Sequence, residues 1–230
     1  MPDWVLAAER AYIAWAVRPE PAPRDAGSHA ESSTPRTEAP DDHARSEDQA
    51  DDRADDRPTD RAPGDLHARA IAAASAIASR HLAIGSPRSF GIVIDAAAQV
   101  DAATLSLTAH RTWFAPRDIR CAATGSGAAE LAAATGGRVV SIDEALACDI
   151  VHLDSCAVRI LPAQLRRGSH VNAVSTDVFA PELLTRATVV HETRLPALAA
   201  GLMDGRQLDE LTIFAIDGAP IAVTALLRPA

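Results

Sequence analysis

Residues 90–109 read Phe-Gly-Ile-Val-Ile-Asp-Ala-Ala-Ala-Gln-Val-Asp-Ala-Ala-Thr-Leu-Ser-Leu-Thr-Ala. Phe90 to Ile94 is a short apolar run rich in β-branched residues, which predicts a buried strand. The alanine-rich stretch behind it predicts a helix over 96–110. A strand feeding straight into a helix is the frame of a dinucleotide-binding βαβ unit. Such a junction carries G-x-G-x-x-G/A, because only glycine lets the backbone approach a pyrophosphate closely. Asp95 and Ala97 stand where the first two glycines belong. A carboxylate there repels a phosphate, and a Cβ at 97 blocks its approach.

Working outward, the chain divides into three parts. Residues 1–18 hold an amphipathic helix over 4–17, with Trp4, Ala8, Tyr12 and Trp15 near one face. Two Trp and the only Tyr on one short helix point to docking, either on its own domain or on a partner. Residues 19–65 contain 14 acids, 6 Arg and no large apolar side chain. Such a stretch cannot bury enough surface to offset the entropy of ordering, which predicts a disordered acidic linker. Residues 66–230 alternate between strands and helices, the pattern of a parallel sheet covered on both faces. Helices are expected at 66–83, 96–110, 128–135, 142–147, 180–186 and 195–203. Strands are expected at 90–94, 118–123, 138–140, 149–154, 170–175 and 187–191, with a final strand-to-helix passage at 211–227. The fold class is α/β, a Rossmann-like parallel sheet.

Composition narrows the chemistry. Aromatic residues make up 3% of the chain, so the core must be built from Ala, Val, Leu and Ile. There is no lysine, which excludes Schiff-base and lysine-base catalysis. A net charge of -9 argues against a nucleic-acid partner. Cys121, Cys148 and Cys156 form no C-x-x-C, which points to reduced thiols rather than a disulfide framework or a zinc site. No metal site is expected, because His81, His110 and His191 lack ligand spacing. No run is apolar and long enough for a membrane span, so the expectation is a soluble, cytoplasmic protein without a membrane partner.

Two further clusters merit weighing. Thr124-Gly125-Ser126-Gly127 opens a helix after a strand and is phosphate-ready in type, yet a plain glycine turn has the same sequence. His152, Asp154 and Ser155 contain the residue types of a hydrolase triad. Strand alternation puts Ser155 on the opposite face, and no G-x-S-x-G elbow is present.

Several phrases are similar in order and spacing to the ornithine cyclodeaminase/mu-crystallin family. They include His67-Ala-Arg69-Ala-Ile, Ala98-Gln99, Ala147-Cys-Asp149-Ile150-Val151, Leu165-Arg-Arg-Gly168-Ser-His170-Val171-Asn172-Ala173-Val174, and Glu182-Leu-Leu-Thr-Arg-Ala187. Asp209-Glu210-Leu211-Thr212-Ile213-Phe214 continues the series. The resemblance runs from about residue 66 onward. It implies an NAD(P)-binding Rossmann domain and hydride transfer at the Cα–N bond of an amino acid or imine. It matches Asp177 to the catalytic acid/base and Arg69 to the residue that grips a substrate carboxylate. Ala97 and Gln99 fall in the family's G-x-G-x-Q-A turn, whose first glycine is Asp95 here. Thr124 and Ser126 lie where the adenosine ribose is met and could contact a 2′-phosphate.

The chain departs from that family at two points. The diphosphate glycines are replaced, and the β-rich substrate segment with its lysine has no counterpart. The expectation is therefore a truncated, degenerate member that keeps a ligand- or partner-binding role, with NAD(P) as its doubtful cofactor. A homo- or hetero-oligomer with an intact relative would fit, as would a small amino-acid-like ligand. The alternatives are an active NAD(P)-dependent cyclodeaminase or imine reductase completed by a partner chain, and a structural interaction module. On residues alone, Asp177 could equally be an exposed turn or cap residue, and Arg69 a surface arginine.

Overall fold

The computed structural model describes residues 2–17, 63–83, 85–155, 157–204 and 210–216. The expected acidic linker lies outside the described residues, apart from the start of the following helix. So does the helical end of the 211–227 passage.

Among the described residues, seven strands form one sheet: β1 (Ser89–Ile94), β2 (Asp118–Ala123), β3 (Arg138–Val139), β4 (Ile150–Asp154), β5 (His170–Ala173), β6 (Thr188–His191) and β7 (Thr212–Ala215). Their order is β3-β2-β1-β4-β5-β7-β6, and every pair is parallel. The chain lays β2 and β3 to one side of β1, then crosses to lay β4 and β5 on the other. The carboxyl ends of β1 and β4 therefore flank the crevice where open α/β sheets take ligands.

Alternation along the strands builds two cores. Val93, Val151, Leu153, Val171 and Ile213 face one side, with Ala145 and Leu146 of α5 (Ile142–Leu146) and Leu183 of α6 (Pro181–Leu184). Phe90, Ile92, Ile94 and Ile150 face the other, against α3 (Val100–His110) and Leu131 of α4 (Ala128–Thr135). On that same side Phe214 and Val190 meet α2 (Pro63–Leu82) and α7 (Leu195–Ala199). The alanines of α2 explain its seat: Ala70, Ala73, Ala74 and Ala78 are wholly buried, and their small size lets the helix lie close to its neighbours.

The helices start and stop for local reasons. Ser141 caps α5, accepting from the amide of Glu144, whose carboxylate returns to the Ser141 amide at 3.0 Å. Gly136, at φ +71°, ends α4. The helix expected at 96–110 begins as a 3₁₀ turn over Ala97–Gln99 and becomes α-helical only at Val100. The helices expected at 180–186 and 195–203 are shorter than the pattern implied.

The N-terminal helix α1 (Asp3–Ala16) docks on its own domain. Its Ala8 and Tyr12 join the core formed by α2, α7 and Phe214. The buried Tyr12 hydroxyl donates to Glu192 Oε1 at 2.7 Å. Val5 rather than Trp15 completes the inward face; Trp15 is 48% exposed.

Gly91 sets the spacing of the first core. A Cβ on this strand residue would run into the carbonyl oxygen of Ala145 and stand 3.3 Å from Cys148 Sγ. Gly91→Ala should therefore push α5 off the sheet and cost about 3 kcal/mol. The midpoint of urea unfolding measures this, and an unshifted midpoint would contradict the packing described.

Candidate functional site

β1 delivers Asp95 to the crevice. Its Oδ1 accepts from Thr124 Oγ1, just after β2, at 2.8 Å. It also accepts from Ser155 Oγ, just after β4, at 2.5 Å. One carboxylate thus gathers the ends of three adjacent strands. The Ser155 side is buried, with the residue 1% exposed.

The turn behind Asp95 is closed by a side chain. Gln99 Oε1 accepts from the backbone N–H of Asp95 at 2.7 Å and of Ala96 at 3.0 Å. Its Nε2 donates to the Asp154 carbonyl at 2.7 Å. Free amides at a strand-to-helix turn are what an anion takes up. Here the protein's own acceptor already holds two of them.

The glycines of the 124–127 segment serve this same packing. Thr124 N–H donates to the Ile94 carbonyl at 3.0 Å, and Gly125 N–H to the Asp95 carbonyl at 3.2 Å. A Cβ on Gly125 would sit 2.8 Å from the Asp95 oxygen. Gly127 lies at φ +102°, where a Cβ would stand 2.7 Å from Ala97 Cα. Both glycines are thus required by the neighbouring turn, with no need to invoke a phosphate. Ser126 between them is exposed.

Charge is concentrated here. Asp154 closes β4 beside the turn; burial, and secondarily the Asp95 carboxylate, push its carboxyl above the usual range. A further anion would meet this negative pair. Among the described residues no three His, Cys, Asp or Glu side chains gather as a metal ligand set.

Of the residues singled out in the sequence, Asp95, Gln99 and Thr124 come together directly, with Ala97 half-buried against Gly127. Asp177 is exposed on the turn after β5, its N–H donating to Ser175 Oγ at 3.1 Å. Arg69 lies on α2 with its guanidinium 5.9 Å from the Trp4 ring centre. The Asp95–Thr124–Ser155 cluster is assembled without either of them. Sequence reasoning missed Ser155 and Asp154 as parts of this turn. The parallel register that sets Ile94 against Asp154 was the signal that brings Ser155 beside Asp95.

Three of the histidines, His110, His152 and His170, are buried in the core. His110 Nε2 and Ser79 Oγ lie 2.9 Å apart, and Asn172 Nδ2 donates to the same Ser79 oxygen at 2.9 Å. His170 lies between Thr212 Oγ1 at 2.8 Å and Asn172 Oδ1 at 3.1 Å. Burial lowers His110 to about 3 and His152 to about 4, so both rings are neutral at physiological pH; His110 is a cross-link, while His152 Nδ1 is buried without a hydrogen-bond partner.

No protein-family model matches the sequence, and no curated protein matches it. Solved structures do. An archaeal alanine dehydrogenase dimer with bound NAD is similar at a TM-score of 0.57 and 21% identity, over 68% of this chain and 60% of that one. The Δ1-pyrroline-2-carboxylate reductase of Thermococcus litoralis, in complex with NADH and L-proline, gives 0.59 and 18%, over 70% and 61%. A probable ornithine cyclodeaminase of Bordetella pertussis Tohama I gives 0.58 and 22%, over 71% and 64%. The chain thus spans less than two thirds of the length of each. At these identities the likeness is one of architecture: this chain shares the parallel α/β fold of part of those proteins.

Proposed function

We propose that the chain is a degenerate relative of the ornithine cyclodeaminase/mu-crystallin family that binds a ligand or partner and has lost hydride-transfer activity. One observation carries this reading: the Asp95 carboxylate stands at the crevice, bonded to Thr124 and Ser155, while Gln99 occupies the amides behind it. A diphosphate would have to displace Gln99 and stand beside the Asp95 carboxylate. These residues do not fit the diphosphate of NAD(P). The fold likeness to NAD-complexed reductases supports the family assignment. The alanine dehydrogenase is described as a dimer, and an oligomer with an intact relative is the assembly proposed here.

Titration with NADH and NADPH, followed by nucleotide fluorescence, tests the reading. The expected result is no saturation below about 1 mM, weaker than about -4 kcal/mol. Binding in the micromolar range would overturn it.

The exposed position of Asp177 after β5 favours one alternative. In that reading a partner chain completes an active cyclodeaminase or imine reductase, with Asp177 as acid/base and Arg69 on the substrate carboxylate. Micromolar NADH affinity appearing only in the presence of that partner would decide for it.

A further inference from the structure

We propose that the opposite end of the sheet, at the amino ends of β1 and β2, carries a binding site for a mononucleotide, formed by Ser86, Arg88, Trp113, Phe114 and Arg117. This goes beyond the reading above and uses none of its residues.

A cavity of about 490 Å³ opens there, between the segment entering β1 and the segment joining α3 to β2. That volume is within the span of small-molecule sites, about 300–1,000 Å³. The two segments are tied together by backbone. The Arg88 carbonyl accepts from the N–H of Arg117 at 2.8 Å and of Asp118 at 3.1 Å. This linkage fixes the main chain that carries both arginines.

The charge balance around the cavity is unusual for a chain of net charge -9. Asp118 is paired with Arg120 at 2.7 Å and with Arg138 at 3.3 Å. Asp149 is paired with Arg166 and accepts from the backbone of Arg88 and Ser89. The nearby acids are therefore engaged by other arginines. Among the described residues, the guanidinium groups of Arg88 and Arg117 have no acidic partner, and both residues are exposed. Two uncompensated forks on one cavity select an anion, and a phosphate monoester can use both where a carboxylate needs one.

The remaining wall selects what the phosphate is attached to. Trp113 and Phe114 are half-buried and line the same cavity. Arg80 lies 5.2 Å from the Trp113 ring centre and is itself paired with Glu9, which steadies the indole. An aromatic wall beside two guanidinium groups suits a planar base carrying a phosphate.

Calorimetry on the full chain with AMP, adenosine and inorganic phosphate tests the proposal. AMP should bind at least about tenfold tighter than either fragment. Arg88→Gln and Arg117→Gln should each weaken AMP about tenfold, and Arg186→Gln, an exposed arginine elsewhere, should not. Thermal midpoints show whether the variants stay folded. If a glutamine variant does not, the lysine replacement at that position keeps the charge, loses the fork and should still bind AMP more weakly. No AMP binding at about 1 mM, inorganic phosphate as tight as AMP, or equal losses in all three arginine variants would each overturn the proposal.

Discussion

Replacing Asp95 and Ala97 together by glycine is expected to raise NADH affinity about a hundredfold over the parent chain. The magnitude follows from Coulomb's law. A unit charge about 6 Å from a phosphate, at an effective dielectric near 20, costs roughly 3 kcal/mol. Removing it corresponds to about two decades in the dissociation constant. The turn should survive the change, because Gly125 and Gly127 pack on backbone atoms of Asp95 and Ala97 that glycine retains. The buried Ser155 hydroxyl loses its acceptor, so stability should fall by about 1–2 kcal/mol. Asp95→Asn separates the two effects, since it keeps an oxygen for Thr124 and Ser155 while removing the charge. If the double variant binds NADH no better than the parent, the carboxylate is not what excludes the nucleotide. Gln99, fastened to the amides of Asp95 and Ala96, would then be the obstacle.

Acid sensitivity is the second large expected effect. His110 and His152 are buried, and burial holds them at about 3 and about 4 against an ordinary value of 6.5. The unfolded chain takes up protons below pH 6.5 that the folded chain refuses. Stability from these residues is therefore complete above pH 6.5 and lost progressively as pH falls towards 4. Each contributes a slope near 1.4 kcal/mol per pH unit in that window. Two such slopes between pH 6.5 and 4.5 approach the whole stability of a small domain, about 5–15 kcal/mol. Asp154, whose carboxyl is pushed up, has the opposite sign but acts only nearer the carboxylate range. Urea unfolding at a series of pH values should show a steep fall below pH 6, and His152→Leu should halve its slope. A flat profile from pH 7 to 5 would mean that the rings are protonated within the core.

The strand-to-helix junction was readable because its evidence is local: an apolar run, an abrupt change to alanine, and missing glycines within eight residues. What Asp95 does was not readable. Its role depends on Ser155, sixty positions away, which arrives only through the parallel pairing of β1 with β4. The same limit applies to α1. Helical spacing identified Ala8 and Tyr12 as inward-facing, but the choice of Val5 over Trp15 is made by the surface the helix meets. That surface includes Glu192, an acid no periodicity argument places in a core. His110, His152 and His170 show no metal spacing, and their burial follows from strand pairing and the alanine-lined approach of α2.

The order of strands at the far edge has a consequence for assembly during synthesis. Among the described residues, Thr188–His191 pairs with β7 alone, and β7 stands between it and the five strands made earlier. Those five can zip together as soon as His170–Ala173 has left the ribosome. The sixth must wait without a hydrogen-bonding neighbour until Thr212–Ala215 emerges and slots in on its inner side. Completion of the sheet is thus an insertion, and the edge of β5 that meets β7 stays unpaired until one of the last described segments arrives.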